Sequence, residues 1–152
     1  MKIFVTVGTT QFDALIEYLD SHLPKDYEVL FQIANGEYKP KNFKFITYTD
    51  KIDALYQEYD YIITHAGAGT IYKLLDLHKK MIVVPNLDRI DKHQIDIANY
   101  MEKNNHVISC IEYSDIPDAL KKLPTIKLDL YKKNSFFMSN EICDYIQNEF
   151  DD

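Results

Sequence analysis

The stretch from Tyr61 to Leu75, YIITHAGAGTIYKLL, decides the fold. Tyr61-Ile62-Ile63 is a short apolar run rich in β-branched residues, the pattern of a strand buried on both faces. It stops at Thr64-His65, and Ala66-Gly67-Ala68-Gly69 follows with almost no side-chain volume. Thr70 then opens a segment in which Ile71, Leu74, Leu75 and Leu77 recur at helical spacing. A strand, a glycine loop and a helix in that order aim backbone N–H groups and the positive end of a helix dipole at one point. An anion, most often a phosphate, is stabilised there. His65 and the Thr70 hydroxyl add two side-chain donors to the same spot. A tight turn whose glycines serve only close packing accounts for the glycines equally well, and the flanking His and Thr favour phosphate. A dinucleotide fingerprint would need glycine at position 72, where Tyr72 stands, and no Gly-Lys-Ser/Thr follows Gly67 as a Walker loop requires.

Outward from this stretch the chain alternates between strand and helix patterns. Ile3–Val7 reads as a buried first strand, Gly8-Thr9-Thr10 as its turn, and residues 12–21 as a helix with Phe12, Leu15, Ile16 and Leu19 on one face. Tyr27–Ile33 and Phe43–Ile46 read as the second and third strands. Asp50 is expected to cap a helix carrying Ile52, Leu55 and Tyr56. Beyond the glycine loop and its helix, Met81–Val84 is a fifth strand stopped by Pro85. A loop with Asn86, Asp88, Arg89 and Asp91 leads to a helix with Ile95, Ile97, Ala98 and Met101. Val107-Ile108 is a last short strand, and Ser114-Asp115 is expected to cap a helix to Leu120. A polar connection then leads to an amphipathic helix over about 135–150, with Phe137, Met138, Ile142, Tyr145, Ile146 and Phe150 as its apolar side.

This pattern predicts an α/β domain, a Rossmann-like parallel sheet with helices on both faces. Ligands of such sheets bind beyond the carboxyl ends of the strands. That rule gathers Gly8-Thr9-Thr10, His65–Thr70 and Pro85–Gln94 at one rim. Residues 1–123 are expected to form the ligand-binding domain, and 124–152 a tail whose helix folds back or docks a partner.

With 152 residues the chain is expected to be one domain that buries about two-thirds of its unfolded surface. A formal charge of −7 and a pI near 5.2 exclude a general affinity for nucleic acid or anionic lipid. Only two cysteines, Cys110 and Cys143, stand far apart, which implies free thiols in a reducing compartment. The N-terminus is too short in apolar residues for a signal peptide and no run reaches membrane-spanning length, so the expectation is a soluble, cytoplasmic protein. His22, His78 and His106 read as surface residues. No carboxylate–histidine set has ligand spacing, so no metal is expected.

MKIFVTVGTTQFDALI (1–16), ITHAGAGTIYKLL (63–75) and MIVVPNLDRIDKHQIDIANYMEKNNHV (81–107) resemble the C-terminal, nucleotide-sugar-binding half of GT-B glycosyltransferases of family 28, and in particular their small stand-alone versions in two-component UDP-sugar transferases. The resemblance covers about residues 1–110. It implies one half of a GT-B fold, a UDP-sugar donor carrying N-acetylglucosamine or another hexose, inverting transfer and no cofactor or essential metal. It also implies a lipid-diphosphate-linked acceptor and a membrane-associated partner subunit that holds the acceptor site, through which the chain would sit at the cytoplasmic membrane face. Residue by residue, the resemblance places Tyr48 and Thr49 at the uracil with Ile52 nearby. It places His65, Gly67, Ala68, Gly69 and Thr70 at the pyrophosphate, and Gly8, Thr9 and Thr10 at the donor phosphate or acceptor side. His93 and Gln94 fall at the sugar hydroxyls; Tyr48 taken alone also reads as a core aromatic. His65 and His93 are weak candidates for a catalytic base, which a partner could supply instead. The family carries a carboxylate three residues after the loop's Ser or Thr to grip the ribose diol, and here Lys73 stands there. Asp76 is a substitute for it, or Lys73 pairs with phosphate. A non-catalytic, nucleotide-sugar-binding subunit is the alternative function, and a Rossmann-type domain for another phosphate ligand is the third.

Overall fold

The computed structural model of the chain describes residues 1–88 and 93–132. The expectations for Arg89, Asp91, Cys143 and the helix over about 135–150 lie outside the described residues. The elements alternate as predicted: β1 Lys2–Thr6, α1 Asp13–His22, β2 Glu28–Gln32, β3 Lys44–Ile46, α2 Ile52–Glu58, β4 Tyr61–His65, α3 Ala68–Asp76, β5 Lys80–Val84, α4 His93–Lys103, β6 Ile108–Ser109 and α5 Ile116–Lys122. All six strands are parallel, in the order β3-β2-β1-β4-β5-β6. The order reverses between β1 and β4, so their two exits leave in opposite senses and open a crevice.

The central strands have no polar face because helices cover both sides. On one side α1 and α5 bury Leu15, Ile16, Leu19, Ile116 and Leu120 against Ile3, Val5, Ile63 and Ile82. On the other, α2, α3 and α4 bury Tyr56, Ile71, Leu74, Ala98 and Met101 against Phe4, Ile62, Met81 and Val83. Each such large side chain stabilises the fold by about 1.5–3 kcal/mol.

Local starts differ from the sequence reading in three places. Helix α3 begins at Ala68 rather than Thr70, with Gly67 as its N-cap, so Ala68 and Gly69 lie in its first turn although a helical glycine costs up to about 1 kcal/mol relative to alanine. Asp50 does not cap α2: Lys51 is the N-cap residue and makes no side-chain cap bond. Its backbone N–H instead donates to Thr49 Oγ1 at 3.0 Å. Asp115 does precede α5, but a 3₁₀ turn over Tyr113–Asp115 makes the entry and no side-chain cap forms. His22 and His78 are exposed, whereas His106 is half-buried and bonds through Nδ1 to the Asp129 carbonyl at 2.9 Å.

Two aspartates of α1 fasten the segment between β2 and β3. Asp13, in the first turn of α1, accepts from Gln11 Nε2 and from the backbone N–H groups of Glu37 and Tyr38. Asp20, fully buried, accepts from Tyr38 Oη, the N–H groups of Lys41 and Asn42, and Asn42 Nδ2. Burial opposes the charge on both, but these donors outweigh it and hold both carboxyls below their ordinary values.

Candidate functional site

At the β1/β4 reversal the ring of His65 occupies the gap between two loops. His65 ends β4 and is 7% exposed, with its Nδ1 3.5 Å from Thr64 Oγ1. A Cβ on Gly8 would stand 2.8 Å from His65 Cε1, and one on Gly67 would overlap Nε2. Both positions therefore need glycine for room, and Gly8 also has φ +61°, where a side chain is strained. Gly69 differs: a Cβ there meets open space.

The start of α3 faces this ring. Its first N–H groups have no partner within the helix, Gly67 brings no side-chain cap, and its first turn carries no acid. Helices α1 and α4 each have an aspartate in the first turn. The field at the α3 N-terminus is thus left uncompensated by a neighbouring carboxylate of its own first turn.

Beside it, over the ends of β1 and β2, lies a cleft of about 170 Å³. Gly8 and Thr9 form one wall, Tyr48, Thr49, Ile52 and Tyr56 the other, and Thr6 and Gln32 line it between them. The structure thus brings together five of the residues singled out from sequence: Gly8, Thr9, Tyr48, Thr49 and Ile52. Tyr48 is 49% exposed on the rim, which removes the core-aromatic reading. Thr10 stays in the turn, with its N–H donating to the Val7 carbonyl at 3.1 Å, and does not line the cleft.

On the other side of β4, at the end of β5, α4 opens with exposed His93 and buried Gln94. Gln94 Oε1 accepts from the Asn86 N–H at 2.9 Å, so its amide oxygen is engaged with the backbone and its NH₂ is the group with donors to offer.

Lys73 pairs with Asp53 of α2 at 3.1 Å. Asp76 lies exposed at the end of α3. Among the described residues no group of three or more His, Cys, Asp and Glu side chains could hold a metal ion. Burial drives the Cys110 thiol up to about 12, so it is unreactive at neutral pH.

The sequence reading missed Thr6, Gln32, Tyr56 and Asp53. The first two carried a signal: each is a polar residue at the carboxyl end of an otherwise apolar strand run, where a buried polar group needs a partner. Burial raises the Tyr56 hydroxyl above its ordinary value, Thr70 opposes this by hydrogen bonding, and Asp53 adds to it by charge.

Comparison with known proteins shows the family and the fold. Residues 2–148 match the model of the glycosyltransferase family 28 C-terminal domain. The chain is 33% identical over 125 residues to the mouse UDP-N-acetylglucosamine transferase subunit ALG13, covering 72% of this chain and 10% of that protein. It is 28% identical over 140 residues to a Prochlorococcus marinus UDP-N-acetylglucosamine--N-acetylmuramyl-(pentapeptide) pyrophosphoryl-undecaprenol N-acetylglucosamine transferase, covering 79% of this chain and 39% of that one. The chain therefore corresponds to a minor part of each of these relatives. Its fold matches the NMR solution structure of ALG13 with a TM-score of 0.60 at 18% identity, over 98% of this chain and 96% of that one.

Proposed function

Because the chain belongs to glycosyltransferase family 28, as its C-terminal domain, we propose that it is the donor-binding, catalytic subunit of an inverting transferase that takes N-acetylglucosamine or another hexose from a UDP-sugar. The observation that carries this is the His65 ring wedged between Gly8 and Gly67 at the uncapped start of α3. The order of features along the rim supports it. From the β3 exit to the β5 exit come the aromatic wall at Tyr48, the Gly8 turn, the α3 N-terminus and the Gln94 amide. Base, ribose, diphosphate and hexose follow one another in the same order in a nucleotide sugar. Adjacent strands stand about 4.8 Å apart, so the four spacings from β3 to β5 come to about 19 Å, the length scale of an extended donor.

In the reaction the acceptor hydroxyl attacks the anomeric carbon from the side opposite the diphosphate. The carbon–oxygen bond to the diphosphate breaks, and the hydroxyl proton passes to a base. The α3 N–H groups, its dipole and His65 stabilise the charge that develops on the departing diphosphate. The Gln94 NH₂ donates to sugar oxygens, and His93 borders the same end. The acceptor is a molecule linked to a lipid diphosphate. A membrane-associated partner subunit brings it and supplies the base, which keeps this chain peripheral at the cytoplasmic membrane face. The names of the curated relatives support this: one is a transferase subunit, and the other acts on a pyrophosphoryl-undecaprenol compound. Among the described residues no helix is long and apolar enough to cross a membrane.

A non-catalytic, donor-binding subunit is favoured by one observation, Lys73 in place of a carboxylate and paired with Asp53. Calorimetry with UDP, UDP-N-acetylglucosamine, NAD and ATP tests the donor assignment, which fails if NAD or ATP binds better than UDP. Transfer assays on the chain alone and co-expressed with its partner test the rest. We expect transfer only in the complex, and robust transfer by the chain alone to a lipid-diphosphate acceptor overturns the split-enzyme reading. A complex that stays active when this chain's Gly67 is replaced by Val favours the non-catalytic role.

A further inference from the structure

We infer that Thr6 and Gln32 are positioning residues for this site, holding the Gly8 turn and the Thr47–Thr49 segment at a fixed separation without being required to touch the ligand. The inference rests on the donor-site reading above and adds how the site keeps its shape. Both side chains are almost entirely buried, at 0% and 3% exposure, although both border the cleft. Thr6 Oγ1 donates to Gln32 Oε1 at 2.6 Å and accepts from the Gly8 N–H at 3.2 Å. Gln32 Nε2 donates to the Gly8 carbonyl and to the Thr47 carbonyl, each at 2.8 Å. Both amide hydrogens thus meet carbonyl acceptors and the amide oxygen meets a hydroxyl, so only one orientation of the amide fits.

The consequence for Gly8 is specific. Its N–H and its C=O are each held by one of the two side chains, while its backbone sits at φ +61°. Gly8 in turn abuts His65 Cε1, so the bracket fixes one wall of the slot in which the imidazole sits. At its other end the same amide holds Thr47, immediately before Tyr48 and Thr49 on the opposite wall of the cleft. A single buried amide therefore sets both the width of the cleft and the seat of the histidine. A ligand that reaches from the aromatic wall to the α3 N-terminus must match that spacing, and a site already held in its binding shape loses less affinity to ordering its own groups.

The test compares Thr6→Val, Thr6→Ser, Gln32→Met and the double variant Thr6→Val/Gln32→Met with the unaltered chain, using UDP calorimetry, thermal unfolding and the NMR resonances of the His65 ring. Asp20→Asn, in a buried network that does not border the cleft, controls for simple destabilisation. We expect UDP affinity to fall about tenfold or more in Thr6→Val and Gln32→Met, where binding must order the loosened turn, and to stay within about threefold in Thr6→Ser, which keeps the hydroxyl, and in Asp20→Asn despite its lower Tm. The double variant should lose no more than the worse single one, as coupled partners do. The His65 resonances should shift in Thr6→Val and Gln32→Met without ligand, and not in Asp20→Asn. Unchanged His65 resonances in Thr6→Val overturn the inference even if Gln32→Met does not fold. So does an affinity loss that follows Tm alike in all variants. Failure of the unaltered chain to bind UDP overturns the donor-site reading instead, while the ligand-independent His65 readout still decides the bracket.

Discussion

The imidazole of His65 fills the space in which a side chain at position 67 would begin, so residue 67 is glycine for room and not for its backbone angles, which are ordinary at φ −80°. Gly67→Ala is therefore expected to push the ring aside and to weaken UDP binding at least about tenfold, with an overpacking loss of about 1–3 kcal/mol in stability. Gly69→Ala meets no protein atom and replaces a helical glycine, so stability should hold or rise by up to about 1 kcal/mol while UDP binding falls. Paired thermal unfolding and calorimetry check both, and UDP affinity unaffected by either change would remove the anion from this loop.

Gln94→Glu keeps an acceptor for the Asn86 N–H and removes the amide donors. The ratio of UDP-sugar to UDP affinity is expected to drop about tenfold, the size of one or two lost hydrogen bonds. Parallel titrations with the two ligands give this ratio directly. A ratio equal to that of the unaltered chain would show that Gln94 serves the Asn86 turn alone.

Lys73→Glu converts the Lys73–Asp53 attraction into repulsion, but the pair is exposed and such pairs contribute at most about 1 kcal/mol. Stability should change little, and UDP affinity should hold or increase, since the new carboxylate can accept from ribose hydroxyls. Asp76→Ala should lower UDP affinity if that residue has taken over the diol. A large loss of UDP affinity in Lys73→Glu would mean that the lysine holds phosphate.

Acid stability should follow Asp13 and Asp20. Their folded-state pKa values lie below the unfolded value of about 3.9. Their contribution is thus fully present above that pH and is lost as the pH falls through it towards the folded values. Asp20→Asn leaves buried donors facing an amide and should lower stability by about 2–3 kcal/mol at pH 7. The difference between variant and unaltered chain should shrink below pH 4 in denaturant titrations. A difference independent of pH would remove the charge from the explanation.

The alternation of apolar runs and helical spacings made the sheet legible, because buried parallel strands advertise themselves as continuous β-branched stretches. His65, Gly67 and the cleft residues Tyr48, Thr49 and Ile52 were legible through strand-end position and motif resemblance. Partnerships between residues far apart in the sequence were not. That Lys73 meets Asp53, and that Gln32 meets Gly8 and Thr47, depends on how α2 lies on α3 and β2 on β1, which no local pattern encodes. Helix starts failed for a related reason: Asp50 has capping chemistry, yet Lys51 stands as the N-cap residue of α2, no side-chain cap forms, and the Lys51 N–H goes to Thr49 Oγ1.

Two helices begin where the strand order reverses, and Asp13 makes them unequal. Its carboxylate lies in the first turn of α1, already surrounded by donors from the chain itself. It acts as a resident counter-ion that makes α1 electrostatically silent towards an incoming anion, while α3 remains unanswered. The seam is therefore an unequal socket: an anion lying across it is drawn to the α3 side and is turned away from the α1 side by Asp13.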